Sequence, residues 1–346
     1  MLSNDLWQCA QPMTDHLRYI PEWQPISHLW VGWPTLPEEW GDAFEPAKVE
    51  IAQFVRTASA RVSVNVLAAT PEAFADAKTM TGQHANTVIG PMGDIWLRDT
   101  GPIFLQGAGA LQAQRFAFNG WGGRFILSGD TQVSQFIADQ MNITSQGFEF
   151  ILEGGSVDMD GSGRLLTTEE CLLNPNRNPN WSRAQAEAAL KTALGAQDVV
   201  WLKLGLENDH TDGHVDNLAR FIRPGEVVCQ SASGTDDPNA DTYENIASTL
   251  RAAGLVVHRI PSPGRIEDGC GAVMPASHMN FVFVNDLVIM PVYDTELGEA
   301  ARVMLADLMP DREVIALPAR AILEGGGAFH CMTCQVPQNV IGDLQL

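Results

Sequence analysis

Four segments of this 346-residue chain combine ionisable side chains with glycines, and they are the first candidates for chemistry. They cover residues 93–102, 152–158, 207–217 and 324–334. Charged and polar groups destabilise a fold when they are buried without partners, whereas glycine lets the backbone approach a neighbouring group closely. Segments that mix the two are typical of binding and catalytic sites.

The segment 93–102 places Trp96, Arg98 and Asp99 before a Gly-Pro turn. Its simplest interpretation is an ion pair on the surface. In segment 207–217, His214 and Asp216 precede a strand-like run at 218–222. If both lie on that strand, their spacing of two places them on one face. A histidine beside a carboxylate suggests acid–base chemistry.

A metal site competes with this interpretation because His210 and His214 are four residues apart. The intervening residues are poor helix formers, and the glutamate of a zinc-protease motif is absent. We therefore do not expect a metal at these two histidines.

The segment 324–334 offers a nucleophile, Cys331. It also forms a lone Cys-x-x-Cys pair with Cys334, so a metal- or thiol-binding protein remains an alternative to an enzyme. A nucleophilic thiol needs a base. His330 is adjacent, but on an extended strand it would face the opposite side, so we expect His214 to be the base. In segment 152–158, Glu153 is either a site carboxylate or a turn residue.

Helices and strands alternate along the chain. Apolar spacing predicts helices at 71–80 and 181–194, the second with Ser182 as its N-cap. Short β-branched runs predict strands at 62–67, 199–204, 226–229, 255–260, 278–284, 287–291 and 313–317. The polar stretch 231–241 resembles a loop within a domain, so we expect one domain over 1–346. Leu-Glu-Gly-Gly occurs at 152–155 and again at 323–326, which suggests a repeat.

The composition of the chain argues against several classes of binding partner. A net charge of −21 argues against binding nucleic acid. The longest apolar stretch, 281–292, is too short to span a membrane, and residues 1–12 lack the features of a secretory signal. Six scattered cysteines indicate free thiols. We expect a cytoplasmic protein with no membrane partner, and its oligomeric state, including a homo-oligomer, stays open.

Taken together, the four segments resemble the agmatine deiminases, within the wider guanidine-modifying pentein family. Further matching strings are Pro-Glu-Trp at 21–23, Phe-Asn-Gly-Trp-Gly-Gly at 118–123, Thr-Glu-Glu-Cys-Leu-Leu-Asn-Pro-Asn-Arg-Asn-Pro at 168–179 and Ser-His-Met-Asn-Phe at 277–281. The similarity spans nearly the whole chain.

The resemblance implies an α/β fold, a five-bladed pseudosymmetric propeller of ββαβ repeats. It also implies hydrolysis of a small cationic guanidine, agmatine, to N-carbamoylputrescine and ammonia, without a cofactor. The implied catalytic residues are Cys331, His214, Asp99 and Asp216. The implied substrate-binding residues are Trp96, Glu153, Asn280 and His210.

Three positions depart from the family pattern, which usually has Glu at His210, Tyr at His278 and Gln at Cys334. These changes concern the grip on the far end of the substrate. Another guanidine, arginine residues in proteins, or an amidinotransferase reaction therefore remain alternatives.

Overall fold

The computed structural model describes residues 17–107, 109–293 and 295–339. Residues 1–12, which the sequence predicts not to be a secretory signal, lie outside these ranges. Among the residues described, no helix combines the length and the apolar character that crossing a membrane would require.

The described residues form a mixed α/β fold. The strands are β1 (Arg18–Tyr19), β2 (Ile26–Gly32), β3 (Ser63–Ala68), β4 (Asn86–Ile89), β5 (Ile103–Gln106), β6 (Leu111–Ala117), β7 (Thr144–Ile151), β8 (Asp158–Met159), β9 (Arg164–Thr168), β10 (Asp198–Leu202), β11 (Ala219–Arg223), β12 (Glu226–Ser231), β13 (Val256–Pro261), β14 (Val282–Val284), β15 (Leu287–Val292), β16 (Glu313–Pro318) and β17 (Thr333–Pro337).

The helices alternate with these strands. They are α1 (Pro37–Trp40), α2 (Phe44–Ala58), α3 (Pro71–Thr81), α4 (Leu97–Thr100), α5 (Gly120–Gly123), α6 (Asp130–Gln140), α7 (Glu169–Leu172), α8 (Arg183–Leu194), α9 (Ala240–Ala252), α10 (Thr295–Leu308) and α11 (Arg320–Glu324). Short 3₁₀ turns occur at Gly41–Ala43, Gly82–His84, Gly154–Ser156 and Val215–Asn217.

The strands pair into five sheets within the described ranges, and each sheet contains the same ββαβ unit. An antiparallel hairpin is followed by a helix and a strand parallel to the second hairpin strand. The units are β5-β6-α6-β7, β8-β9-α8-β10, β11-β12-α9-β13, β14-β15-α10-β16 and β17-β2-α2-β3. The last unit joins the early and late parts of the described residues, because β17 pairs with β2.

The local sequence explains where the predicted helices begin and end. Ser182 and Gln185 form a reciprocal capping box at the start of α8, and Gly195 ends that helix in the left-handed conformation with φ 73°. Thr70 caps α3 by accepting a hydrogen bond from the Ala73 amide, with Pro71 in the first turn. The two helices predicted from the sequence are confirmed to within one or two residues.

Six of the seven predicted strands also match, with shifted ends. The exception is 278–284, where only Val282–Val284 is a strand. The residues before it are buried without strand pairing, since Asn280 and His278 are held by side-chain hydrogen bonds instead. The predicted strand 199–204 ends at Leu202, and the predicted loop 231–241 corresponds to the connection between β12 and α9.

Two expectations about local geometry are wrong. His214 and Asp216 do not lie on a strand. His214 immediately precedes the 3₁₀ turn Val215–Asn217, Asp216 lies within that turn, and β11 begins only at Ala219. Cys331 is also not on a strand, because β17 begins at Thr333. Tight turns, which bond through i to i+3 contacts, orient these side chains instead of the strand pleat.

Apolar side chains fill the spaces between helices and sheets in four buried clusters of the described residues. Helix α2 contributes Ile51, Phe54 and Val55 to one of them, where Phe54 packs on Phe329 with ring centroids 4.9 Å apart. This contact fixes the turn that precedes β17. The core therefore supports directly the backbone that carries Cys331.

Candidate active site

The candidate site is built from the segments that enter the five hairpins. Asp99 precedes β5, Glu153 precedes β8, Asp216 precedes β11, Asn280 precedes β14 and Cys331 precedes β17. All five side chains are buried, with at most 5% of any residue exposed. Equivalent positions in the five ββαβ units therefore each contribute one polar side chain to the same region.

Asn280 holds the thiol of Cys331. Its Nδ2 donates to Sγ at 3.1 Å, and its Oδ1 accepts the backbone N–H groups of His330 and Cys331 at 2.9 and 3.2 Å. On the other side, Sγ lies 3.6 Å from Oδ2 of Asp216 and donates to it. One amide side chain thus fixes both the backbone and the sulfur of the cysteine.

The thiol of Cys331 is held in its neutral form. Burial raises the pKa of Cys331 well above its ordinary value, and the negative charges of Asp216 and Asp99 raise it further. A thiolate, the nucleophilic form, would form only if a positive charge came near. The site therefore requires a cation to activate its cysteine.

Asp216 is ionised, and one of its two carboxylate oxygens has no hydrogen-bond partner among the described residues. Although burial alone would raise the pKa of Asp216, the hydrogen bond and charge of His330 lower it below its ordinary value. Nδ1 of His330 lies 2.7 Å from Oδ2 of Asp216, whereas Oδ1 is buried without a hydrogen-bond partner among the described residues. An acceptor of this kind is available to a ligand that donates.

His330 spans two carboxylates. Its Nε2 lies 2.9 and 3.0 Å from the two oxygens of Glu22, opposite the contact with Asp216. Glu22 also pairs with Arg98 at 3.0 Å and with Arg220 at 2.5 Å. Both ring nitrogens of His330 therefore face carboxylate oxygens, and the ring links Glu22 to Asp216.

Asp99 faces the same region from the neighbouring segment. Its Oδ2 accepts from Nε1 of Trp121 at 2.9 Å, and its Oδ1 accepts from the Gly155 amide at 2.9 Å. Burial raises the pKa of Asp99; His214 opposes that shift, while Asp216 and Glu153 add to it. Two carboxylates, Asp99 and Asp216, therefore lie close enough to influence the same thiol.

His214 is fully buried beside Asp99, with Nδ1 3.6 Å from Oδ1. Neither ring nitrogen makes a hydrogen bond of ordinary geometry with the described residues. Burial alone would lower the pKa of His214, but Asp99, Cys171 and Glu153 raise it well above its ordinary value. This shift favours the protonated imidazole, which is the form that acts as a general acid.

Glycine is required at position 155. A Cβ there would lie 2.6 Å from Nδ1 of His214, 2.9 Å from Oδ1 of Asp99 and 3.0 Å from Oδ2 of Asp216. The Leu-Glu-Gly-Gly string at 152–155 thus lets backbone pass directly beside the polar side chains. In the second copy, Glu324 is exposed and pairs with Arg320 at 3.0 Å, so the two glutamates differ in environment.

A second buried ion network holds the segment that carries His214. Arg177 donates to Oε1 of Glu153 at 2.8 Å and to the backbone oxygen of Thr211 at 2.9 Å, and it also pairs with Asp212. Asp212 has a left-handed backbone, with φ 60°. Arg177 thereby ties the turn before His214 to Glu153.

Cys331 opens into a cavity of about 220 Å³. Its walls are largely aromatic: Trp96 stacks on Trp40 with ring centroids 5.9 Å apart, and both indoles donate to Asp94 at 3.0 and 3.1 Å. The lining residues are Glu39, Trp40, Asp94, Trp96, Asp99, Trp121, Phe125, Leu127, His210, Thr211, Glu324, Gly325, Gly326 and Cys331. An apolar slot with acids at its base and mouth favours a cation with a hydrocarbon part.

Of the three positions that depart from the family pattern, only His210 lines this cavity. It is exposed and lies against Phe125, with ring centroids 6.0 Å apart. His278 is buried beside Tyr293, and Cys334 lies against the Pro102 carbonyl at 3.7 Å. A change at His278 or Cys334 therefore has no direct contact with the cavity.

The structure brings together the residues that the sequence singled out as catalytic: Cys331, His214, Asp99 and Asp216. Glu153 and Asn280 join them, while Trp96 and His210 line the cavity. The interpretation of Arg98 and Asp99 as a surface ion pair is wrong, because Asp99 is buried and Arg98 pairs with Glu22. Cys331 and Cys334 are both free thiols.

Sequence reasoning missed Glu22, Cys171 and Arg177 as contributors to the site, and it expected His330 to face away from Cys331, whereas the ring contacts Asp216. Each lies in a string that resembles the family, at 21–23, 168–179 or 324–334, but nothing in those strings shows which side chains meet. In the described residues, the group that could hold a metal ion is Glu153, Cys171 and His214, not His210 with His214.

The chain is similar to known proteins over most of its length. A family model described as Porphyromonas-type peptidyl-arginine deiminase matches residues 18–337. An agmatine deiminase of Stutzerimonas stutzeri is 36% identical over 353 residues, which cover 92% of this chain and 95% of the relative.

Two solved structures are also similar. The agmatine deiminase of Enterococcus faecalis superposes with a TM-score of 0.89 at 29% identity, covering 94% of this chain and 96% of that one. A cysteine-to-serine variant of C. jejuni agmatine deiminase with substrate bound gives a TM-score of 0.89 at 27% identity, covering 98% and 100%.

The electrostatics of Cys331 lead to a prediction about its reactivity. Asp216→Asn removes a negative charge 3.6 Å from Sγ, so the thiol should ionise at lower pH. The rate of Cys331 alkylation by iodoacetamide, followed by peptide mass spectrometry as a function of pH, should therefore rise at lower pH than in the wild type. Alkylation of the exposed Cys270 in the same samples provides the internal control. An unchanged or higher midpoint for Cys331 would refute this account of the thiol.

Proposed function

The chain belongs to the Porphyromonas-type peptidyl-arginine deiminase family, and from this premise we propose that it hydrolyses agmatine to N-carbamoylputrescine and ammonia. The observation that carries the proposal is a neutral, buried thiol that lies beside Asp216, feels the charges of Asp216 and Asp99, and lines a cavity with several aromatic walls. Relatives named agmatine deiminase match over nearly the full length of the chain.

The carboxylates suit a guanidinium ion. A guanidinium group is planar and donates N–H groups on both edges, which matches paired carboxylates. Oδ1 of Asp216 is a buried acceptor without a partner in the described residues, and Asp99 lies on the adjacent segment. We assign these two acids to orient the guanidinium so that its carbon faces Sγ of Cys331.

The positive charge of the substrate activates the thiol. Asp216 and Asp99 raise the pKa of Cys331 in addition to burial, and a bound guanidinium offsets those two charges. The thiolate therefore forms mainly when substrate is present. This coupling favours attack on the intended cation over side reactions of an exposed thiolate.

His214 is assigned as the acid and then the base. Attack by sulfur forms a C–S bond and a tetrahedral intermediate, and the imidazolium gives a proton to the departing nitrogen, which leaves as ammonia. The proton lost by the thiol is taken up by the released ammonia, which becomes ammonium, and the product on Cys331 is a thiouronium cation. His214 then removes a proton from water, which attacks the same carbon and expels the cysteine sulfur to give the ureido product.

The tail of agmatine fits the remaining cavity. Its methylene chain would lie between Trp96, Trp121 and Phe125, and its ammonium would reach the mouth. Glu39 lies at that mouth and is exposed, and its carboxylate forms no ion pair with the described residues; Glu324 there is paired with Arg320. We assign Glu39 to the ammonium, because His210 supplies no fixed negative charge.

The proposal extends to the architecture. Five like ββαβ units, each contributing a residue from the segment before its hairpin, support a five-bladed propeller around the site within one catalytic domain. The pairing of β17 with β2 supports closure, because it joins the first and last parts of the described chain.

The proposed function is tested by incubating the protein with agmatine, free arginine, arginyl peptides and other guanidines, and measuring ammonia and ureido product. We expect agmatine to be turned over in the absence of an amine acceptor. Cys331→Ala should abolish turnover, whereas Cys334→Ala should retain most of it, because Cys334 lies outside the cavity.

Three outcomes would contradict the proposal. Equal loss in the two cysteine variants would indicate a function of the pair, turnover that requires an amine acceptor would indicate an amidinotransferase, and turnover of arginyl peptides alone would replace the substrate.

The assignment of the tail is tested with Glu39→Gln. Exposed ion pairs contribute at most about 1 kcal/mol, so KM for agmatine should rise roughly 5-fold, while kcat/KM for butylguanidine, which lacks the ammonium, should not change. Glu38→Gln is the matched control, since Glu38 is exposed on the same helix and does not line the cavity. His210→Glu should raise kcat/KM for agmatine relative to kcat/KM for butylguanidine. Two results would show that Glu39 does not recognise the ammonium. Glu39→Gln could affect agmatine and butylguanidine equally, or Glu38→Gln could raise KM for agmatine as much as Glu39→Gln does.

A further inference from the structure

Three buried side chains beside the proposed site lie close together, yet several of their polar atoms form no hydrogen bond with the described residues. One ligand atom each of Glu153, Cys171 and His214 lies within 4.8 Å of the other two. None of the three residues is measurably exposed. The proposed reaction uses His214, but it assigns no step to Cys171.

The cluster contains buried polar atoms that have no hydrogen-bond partner among the described residues. Oε2 of Glu153 and both ring nitrogens of His214 are buried without a hydrogen bond of ordinary geometry among the described residues. Oε1 of Glu153 is already held by Arg177 at 2.8 Å, which leaves Oε2 as the available oxygen. Buried polar atoms without partners are uncommon in folded proteins, so the cluster fits a ligand that accepts lone pairs.

The backbone around the cluster is fixed independently. Oγ1 of Thr168 accepts the Cys171 amide at 3.2 Å and donates to the Gly213 carbonyl at 2.7 Å. One hydroxyl therefore ties the turn that carries Cys171 to the residue before His214. This rigid frame keeps the sulfur and the imidazole close.

We propose that Glu153, Cys171 and His214 form a Zn²⁺ site whose occupation inhibits the enzyme by capturing His214. Thiolate, imidazole and carboxylate are the ligands that zinc prefers, and three protein ligands leave a fourth position for water. Asp99 and Asp216 nearby add a negative field that favours a cation. The inhibitory part of this inference rests on the proposed role of His214.

Binding is balanced in charge and protons. The S–H bond of Cys171 breaks, a Zn–S bond forms and the proton passes to solvent; a charged His214 likewise releases one proton before it coordinates. Tetrahedral zinc places its ligand atoms roughly 3.5 Å apart, and the three atoms here all lie within 4.8 Å of one another, so rotation of the side chains is enough to bring them to one ion. Zinc should bind more tightly as the pH rises, because binding releases protons.

The alternative is a zinc ion held by Cys331 and His214. The sulfur of Cys331 is already engaged by Asn280 at 3.1 Å and Asp216 at 3.6 Å. The sulfur of Cys171 is in the cluster with His214 and Glu153. The two sites use different cysteines, so cysteine variants distinguish them.

The direct test uses Co²⁺, which replaces zinc and shows a near-ultraviolet charge-transfer band when a thiolate binds it. We expect the band in the wild type, in Cys331→Ala and in the control Cys229→Ser, whose cysteine is buried in another cluster. Cys171→Ser should lose it. Because this readout needs no turnover, it stays informative if the proposed activity is wrong.

A second measurement determines how strongly Zn²⁺ inhibits each active variant. The rate with Zn²⁺ is divided by the rate of the same variant without it. Losing a ligand should raise the zinc concentration for half-inhibition at least ~10-fold in Cys171→Ser and not in Cys229→Ser. X-ray absorption on zinc-loaded wild type, which needs no variant, should show one sulfur neighbour, and Cys331→Ala should keep it.

Three results would overturn the site: no thiolate band in the wild type, a band that Cys331→Ala loses while Cys171→Ser keeps it, or zinc with only nitrogen and oxygen neighbours. Normal metal binding without any guanidine turnover would instead contradict the proposed function and leave the site intact.

Discussion

The site depends on the charge balance around Glu22. This carboxylate, whose side chain is 10% exposed, contacts Arg98, Arg220 and His330, which come from the segments before β5, within β11 and before β17. Burial alone would raise the pKa of Glu22, but the three cations lower it well below its ordinary value. Breaking a buried ion pair typically costs several kcal/mol because a charge is left uncompensated. Glu22 therefore fixes three segments relative to one another.

That balance explains how acids can surround a thiol. His330 contacts both Glu22 and Asp216. Its hydrogen bond to Asp216 lowers the pKa of that carboxyl, which keeps Asp216 ionised beside Cys331. The same carboxylate keeps the thiol protonated until a cation arrives. A site arranged in this way senses the charge of its ligand, because only a cation of the correct shape satisfies both carboxylates and releases the thiolate.

The sequence indicated which polar residues lie near one another better than it indicated how the backbone orients them. Ser182 and Gly195 bound a helix through local hydrogen bonds, so α8 was predictable from the sequence alone. The pairing of His330 with Glu22 joins residues 308 positions apart, and no local pattern encodes it. His214 and Asp216 were correctly grouped for an incorrect reason, since a 3₁₀ turn and not a strand orients them.

The central claim, that Cys331 is the covalent nucleophile of a guanidinium site, is tested most directly with a haloacetamidine. Its amidinium resembles the guanidinium, and displacement of the halide leaves a stable thioether on the attacking sulfur. Intact-mass and peptide analysis should find one label, on Cys331, that forms in proportion to inactivation, is slowed by agmatine and is absent in Cys331→Ala. Inactivation with the label on Cys171 or Cys229 instead would contradict the account.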